Sequence, residues 1–312
     1  MHNVLEHRLG LEGFFKIEAI QPDGSRKVLA DWFPNLITDL GLNRWGTGAI
    51  VQFCGVGTGT AQPLVTDTGL QTPLAFTAGG AYTSTASTSS GSAPWSVTAN
   101  RKFTFAQGAV VGNISEVSVG WAGANGSAWS HARIKDGGGV DTTITVTAIE
   151  QLSVTYLLKI NVPMVDVVTT PTIGGVVTTA TLRASNAASP SAWTDYTGGV
   201  GVLFDSMFIN SMGTTYKGIT AYNGAIGAIT SAPSGTATGG SWASAAAYTN
   251  NSLFFDQTYS FSTVQGNLAG GMSAVSVTIP VGQYQIGFVP AIAKDNTKTL
   301  SLTVRTSWAR GA

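Results

Sequence analysis

Chemistry would show first at histidine, cysteine and paired carboxylates, and this chain of 312 residues carries three histidines and one cysteine. A Ser-His-Asp relay needs a histidine held inside the fold. His2 and His7 lie near the beginning of the sequence, in a stretch expected to fray. His131, beside Trp129 and Ser130, is therefore the histidine a triad would need, and it reads as a surface or interface residue. A zinc site from His2, Glu6 and His7 has a spacing that matches no ligand pattern. Cys54 sits between Phe53 and Gly55, with Val56 beyond, and reads as a small buried hydrophobe rather than a nucleophile. Residues 55–60 (GVGTGT) resemble a phosphate loop but lack the closing Lys-Ser/Thr, and Ala61-Gln62-Pro63 follows where a dinucleotide fold needs a helix. A turn that brings backbones close together is the better account. Asp195, Asp205 and Asp256 could hide a glycosidase pair, which needs a separation of about 5–9 Å. Enzymes of that class carry more acids and cleft tryptophans than this. The expectation is no enzyme, with no catalytic, cofactor or metal residues.

Aromatic residues are the remaining signal. Trp193, Tyr196, Tyr222, Trp242 and Tyr248 stand beside Gly, Ser and Asn in segments expected to be loops. They could fold back as loop packing, anchor a protein partner, or stack on sugars. A host-surface glycan is the alternative partner on this reading.

The composition bounds what these residues can serve. Apolar residues make up 43%, enough for a real core, while charged residues are only 10%, against about 25% in ordinary domains. Lys plus Arg and Asp plus Glu each count 16, so the net charge is zero. A lone soluble monomer usually keeps net charge to resist self-association, and a neutral surface suits a subunit inside an assembly. Nucleic-acid binding is not expected, because no basic stripe exists beyond Arg26-Lys27 and Arg101-Lys102. No apolar run approaches the ~18 residues of a membrane helix, and residues 1–18 lack a signal-peptide apolar core. Folding in a cytoplasm, with no membrane partner, is expected.

The elements that must position these residues are mostly strands. Residues 14–20 and 28–32 flank Gln21-Pro22-Asp23-Gly24, a hairpin turn. Apolar residues at Leu36, Ile37, Leu40, Leu42 and Trp45 follow helical spacing until Gly46 and Gly48. This predicts one short helix near residues 35–45, plugging one end of a sandwich or barrel core. Residues 77–96 are small and polar, and are expected to be a long loop or a twisted edge region, the loop being favoured. In residues 152–162, Leu152, Val154, Tyr156, Leu158, Ile160 and Val162 share one face, the period of a half-buried antiparallel strand. Pro163 ends it, and the composition turns to Gly, Ser, Thr and Ala. The predicted class is mainly β, with antiparallel sandwich or barrel domains: a docking domain over residues 1–163 and a Gly/Ser/Thr-rich domain over 164–312. The segments ISEVSVGW, ITVTAIEQ and LSVTYLLKI resemble MSAVSVTI, IGFVPAIA and LSLTVRTSW in the second half. A duplicated sandwich unit would explain this, and it requires the same strand order in both halves.

The chain resembles virion structural proteins of tailed bacteriophages, of the tail, baseplate or tail-fibre kind. The resemblance is carried by residues 35–42 (NLITDLGL), 56–60 (VGTGT), Pro63, 66–70 (TDTGL), 101–105 (RKFTF), 114–117 (ISEV), 152–156 (LSVTY), and the close from Lys298 through Ser307-Trp308-Ala309-Arg310. It covers most of the first 163 residues and the last fifteen; residues 164–271 match in composition only. It implies a non-enzymatic subunit of the virion, assembled in the host bacterial cytoplasm. It would contact other virion proteins and form a homo-oligomer, with a trimer favoured. Its docking helix would carry Leu36, Ile37, Leu40 and Trp45. A head decoration or head-fibre protein is the lesser reading of the same resemblance.

Overall fold

The computed structural model describes residues 5–86, 95–185, 218–279 and 282–311. In chain order the first half holds β1 (Leu5–Ile20), β2 (Arg26–Pro34), β3 (Leu36–Ile37), α1 (Asp39–Trp45), β4 (Phe53–Gly57), β5 (Pro73–Ala86) and β6 (Trp95–Thr104). Then come β7 (Gly112–Ile114), β8 (Glu116–Gly120), β9 (Ala128–Arg133), β10 (Ile144–Val146) and β11 (Gln151–Val162). The second half holds β12 (Val167–Thr169), β13 (Thr172–Ile173), β14 (Val176–Val177), β15 (Thr179–Ala184), β16 (Ile219–Tyr222) and β17 (Ala237–Gly239). It closes with β18 (Ser241–Ala245), β19 (Phe254–Phe261), β20 (Met272–Ile279), β21 (Gly282–Ile292) and β22 (Leu300–Arg310).

The fold is mainly β, in large curled sheets with one helix among the described residues. One path of paired strands runs β18-β19-β22-β1-β11-β6-β5-β4-β8-β9-β3; a second sheet runs β12-β15-β21-β20-β16-β17. The sheets pack face to face. Trp129 on β9 donates its indole N–H to the Tyr156 hydroxyl on β11, at 2.6 Å, although four strands separate them along the sheet. On the other side, the Tyr259 hydroxyl on β19 donates to the carbonyl of Thr278 on β20. β11 behaves as its alternation requires: Leu152, Val154, Tyr156, Leu158, Ile160 and Val162 are all buried.

The pairings of the first half recur in the second. β4 pairs with β5 and β8, β5 with β6, β6 with β11, β8 with β9, and β9 with β3. Likewise β16 pairs with β17 and β20, β18 with β19, β19 with β22, β20 with β21, and β21 with β15. β17 and β18, parted by Gly240 alone, stand where the single long β5 stands. The registers agree over the central pairs of each ladder. Val117 lies between Val56 and Ala132, and Val275 between Ala221 and Ile286. Phe103 faces Val154, and Tyr259 faces Leu302. One ladder irregularity coincides, between Gly79 and Tyr82 opposite β6 and between Trp242 and Ala245 opposite β19, whereas the shift after Val119 on β8 has no counterpart on β20. A side-chain period of two makes register a sharp criterion, since a slip of one residue would turn every side chain over. The chain is built from two structural repeats. One of the sequence correspondences is corrected, however: residues 286–292 lie on β21, whose counterpart is β9, not residues 144–151.

β1 joins the repeats. Gly10 to Ile20 pair antiparallel with β11, whereas Leu5 to Leu11 pair parallel with β22. The repeats meet between β11 and β12, near the expected boundary at 163, but the beginning of β1 pairs with β22 of the second repeat. His7 is therefore not frayed: it is 2% exposed, with its ring 4.7 Å from that of Tyr284 on β21. Glu6 and His7 alternate to opposite faces, and Glu6 accepts a hydrogen bond from Ser307.

Two expectations for segments need correction. The helix spans 39–45 only, because Leu36 and Ile37 pair with His131 and Ser130 on β9. Thr38 caps it, accepting the amide of Gly41 at 2.8 Å. Residues 77–86, for which a loop was favoured, belong to β5: Thr77 and Ala78 pair with β4 and Gly79 to Ala86 with β6, while 87–94 lie outside the described residues. Threonine is at home in strands, and Gly79-Gly80 mark the bulge rather than a turn.

Candidate functional site

Each expected contact residue can now be placed. Trp193 and Tyr196 lie outside the described residues, as do Asp195 and Asp205. Tyr222 is half-buried on β16, and Trp242 belongs to β18. Tyr248 folds inward: its ring stacks on Trp308 at 5.9 Å, and its hydroxyl donates to Asn43 at 2.9 Å. It packs the end of α1 rather than presenting a face to a partner. The proposed docking helix also turns inward. Trp45 is fully buried, edge-on to Trp129 and Trp308, and Ile37 is buried, while Leu36 and Leu40 are half-buried. Trp45 and Ile37 have no surface to offer, so the segment plugs the core with these two residues. Asp256 is held by both nitrogens of a fork from Arg305, at 2.7 and 2.8 Å.

His131 was read as a surface or interface residue, and the structure places it inside. It is 3% exposed on β9. Its Nδ1 lies 2.7 Å from Asp67 Oδ2 and its Nε2 lies 3.0 Å from Glu116 Oε2. Glu116, on β8, also accepts the amides of Gly59, Gln71 and Thr72. Burial alone would raise the Glu116 carboxyl, but His131 and these amides outweigh it and hold the pKa down at about 2. Burial likewise would lower His131, and the hydrogen bonds and charges of Glu116 and Asp67 raise it instead. The GVGTGT turn thus does cradle an anion, but the anion is the chain's own. A Cβ on Gly59 would sit 2.6 Å from Glu116 Oε1, and one on Gly57 would sit 2.4 Å from the Thr72 carbonyl. Both ring nitrogens of His131 face carboxylates, so neither is free to take a substrate proton in this arrangement. Sequence reasoning missed the cluster because its members are far apart in the chain. The signal available was Glu116 and His131 at paired-strand distance, with Asp67 in a Gly-Thr-rich loop.

The surface feature with most to offer a partner is apolar and lies on the second repeat. Val165 is 82% exposed, Val168 59%, Val176 51%, Val177 67% and Val289 71%. Thr179 pairs with Val289, and Val168 with Thr181, whose other neighbour is Gly287. These registers put Val168, Thr179, Thr181 and Val289 on one sheet face, and the β13–β14 hairpin directly precedes β15 in the chain. None of the charged side chains belongs to that set.

Among the described residues no group of three or more His, Cys, Asp or Glu could hold a metal ion, and no helix is long and apolar enough to cross a membrane. No family model matches the chain. No curated protein and no solved structure matches it either.

Proposed function

We propose that this chain is a structural, non-enzymatic component of a tailed-phage virion, of the tail, baseplate or fibre kind, acting through β-rich protein–protein contacts. The observation that carries the reading is the face of β12, β15 and β21 where Val168 and Val289 stand exposed beside Thr179 and Thr181. Val165, Val176 and Val177, on segments close in the chain to β12 and β15, are also more than half exposed, and exposed apolar groups gathered in a patch mark a contact surface. Zero net charge and a charge density of 10% support it, because such a surface offers little repulsion between neighbours. The virion part of the proposal rests on the resemblance of residues 35–70, 101–117 and 152–156 described above. The partners are copies of this chain, in a closed symmetric oligomer with a trimer favoured, and other virion proteins.

Two measurements test it. Sedimentation of the isolated chain should show an oligomer that Val177→Asp and Val289→Asp reduce to monomer, since a buried unpaired carboxylate at each contact is costly. Quantitative mass spectrometry of purified virions, split into heads and tails, should find the chain in tails at a copy number divisible by three or six. A strictly monomeric protein that is absent from particles would overturn the proposal.

A further inference from the structure

We propose that His131 is a charge-dependent pin for the loop between β4 and β5: it holds the loop while both ring nitrogens carry protons, and releases the Asp67 side when one is lost. The geometry carries this. A neutral imidazole has one N–H and one lone pair. With a carboxylate oxygen at 2.7 Å from Nδ1 and another at 3.0 Å from Nε2, only the imidazolium can donate to both. When the ring loses a proton, one lone pair must face a carboxylate, and one contact opens. Glu116 will not move: its side chain is 1% exposed and three backbone amides hold it. Asp67 is 23% exposed at its side chain and can turn to water. The Asp67 contact is therefore the one that breaks.

What Asp67 holds is the apolar tip of the loop. Its carboxylate accepts the Leu64 amide, and Leu64 is 60% exposed and Val65 39%. The residues flanking Asp67 are tied to the body by two backbone bonds: the Asp39 amide, in the first turn of α1, donates to Val65, and the Ala128 amide donates to Thr68. The other charges around the cluster are already engaged. Arg133 donates to the Gly59 carbonyl and lies 4.0 Å from Asp141, which Lys135 and Gln62 also bind. Asp39 pairs with Arg310. No other cation on these elements can take over the Asp67 carboxylate without abandoning its present partner.

The second repeat contains the control. Its residue at the His131 position is Gln285: His131 pairs with Ser118 and Leu36, and Gln285 with Ser276 and Arg183. Gln285 holds the corresponding loop, between β16 and β17, by accepting the Gly227 amide at 2.8 Å and donating to the carbonyl of Ala228 at 3.0 Å. An amide has no proton to lose in this range. One repeat therefore carries a titratable pin and the other a fixed one. The folded pKa of His131 is raised. Its contribution is present in full below the ordinary histidine value and is lost as pH rises through the raised one, so the loop loosens on the alkaline side.

Amide hydrogen exchange followed by NMR from pH 6 to 9, expressed as protection factors, tests the pin, with the His131 ring titrated in the same samples. Protection at Asp39 and Ala128 should fall as His131 deprotonates, by about tenfold for each unit by which its pKa is raised, while Gly227 stays level. His131→Gln should give a flat profile at all three amides. Should that variant fail to fold, Asp67→Asn should also flatten the profile. Protection at Asp39 and Ala128 that is constant through the His131 titration, that falls in step with Gly227, or that still falls in Asp67→Asn would overturn the proposal.

Discussion

At His7, burial sets a pH limit that can be measured. Desolvation pushes its pKa down to about 3, so the folded chain stays unprotonated there while an unfolded histidine takes up a proton near pH 6.5. Between those values the unfolded state binds more protons, and stability falls as pH drops below 6.5. The loss is about 2–3 kcal/mol at pH 4.5. Urea unfolding of the wild type and His7→Leu at pH 7 and pH 4.5 should show the smaller acid loss in the variant, by about that amount. The pKa of His131 is shifted the other way, upward, because two carboxylates face it and outweigh its burial. Neither behaviour was legible in the sequence. Both histidines have unremarkable neighbours along the chain, and their environments come from strands paired across it: β22 and β21 for His7, β8 and the 58–72 loop for His131.

At the scale of elements, α1 shows how packing overrides propensity. Gly41 sits inside a seven-residue helix, where exchange for alanine would ordinarily stabilise by about 1 kcal/mol. A Cβ there would lie 2.3 Å from the carbonyl oxygen of Trp129. That atom is backbone in β9, so the helix must move off the sheet, at a cost of about 1–3 kcal/mol. Gly41→Ala should therefore lower the melting temperature, and a rise would show that α1 sits more loosely than described. The apolar spacing of residues 36–45 was enough to find a helical segment. It did not show that Leu36 and Ile37 pair with β9, because a two-residue strand has no pattern of its own.

At the scale of the molecule, β1 couples the two repeats. Leu9 is fully buried and pairs with Trp308, while Phe15 is buried opposite Tyr156. A single strand thus pairs with both repeats inside one sheet, and the chain should unfold in one cooperative transition. Leu9→Asp places an unpaired carboxylate in the second repeat alone, which costs several kcal/mol (about 3–5). Calorimetry of that variant should resolve two transitions, the lower one belonging to the second repeat. A single transition, shifted as a whole, would mean that neither repeat stands without the other.

By itself the sequence determined the class and the local elements: period-two alternation in β11, β19, β20 and β22 is dictated by which residues can face a core, and the turn glycines fix where strands stop. The likeness between 114–121 and 272–279 also hinted at a duplication. Tertiary structure alone decided which strands pair. The parallel join of β1 to β22, the shared register of the two repeats, and the meeting of Asp67, Glu116 and His131 all depend on contacts between residues distant in the chain. Hydrogen-bonded ladders are formed by backbone, which every residue possesses, so side-chain pattern says that a strand exists and leaves its partner to the packing of the whole.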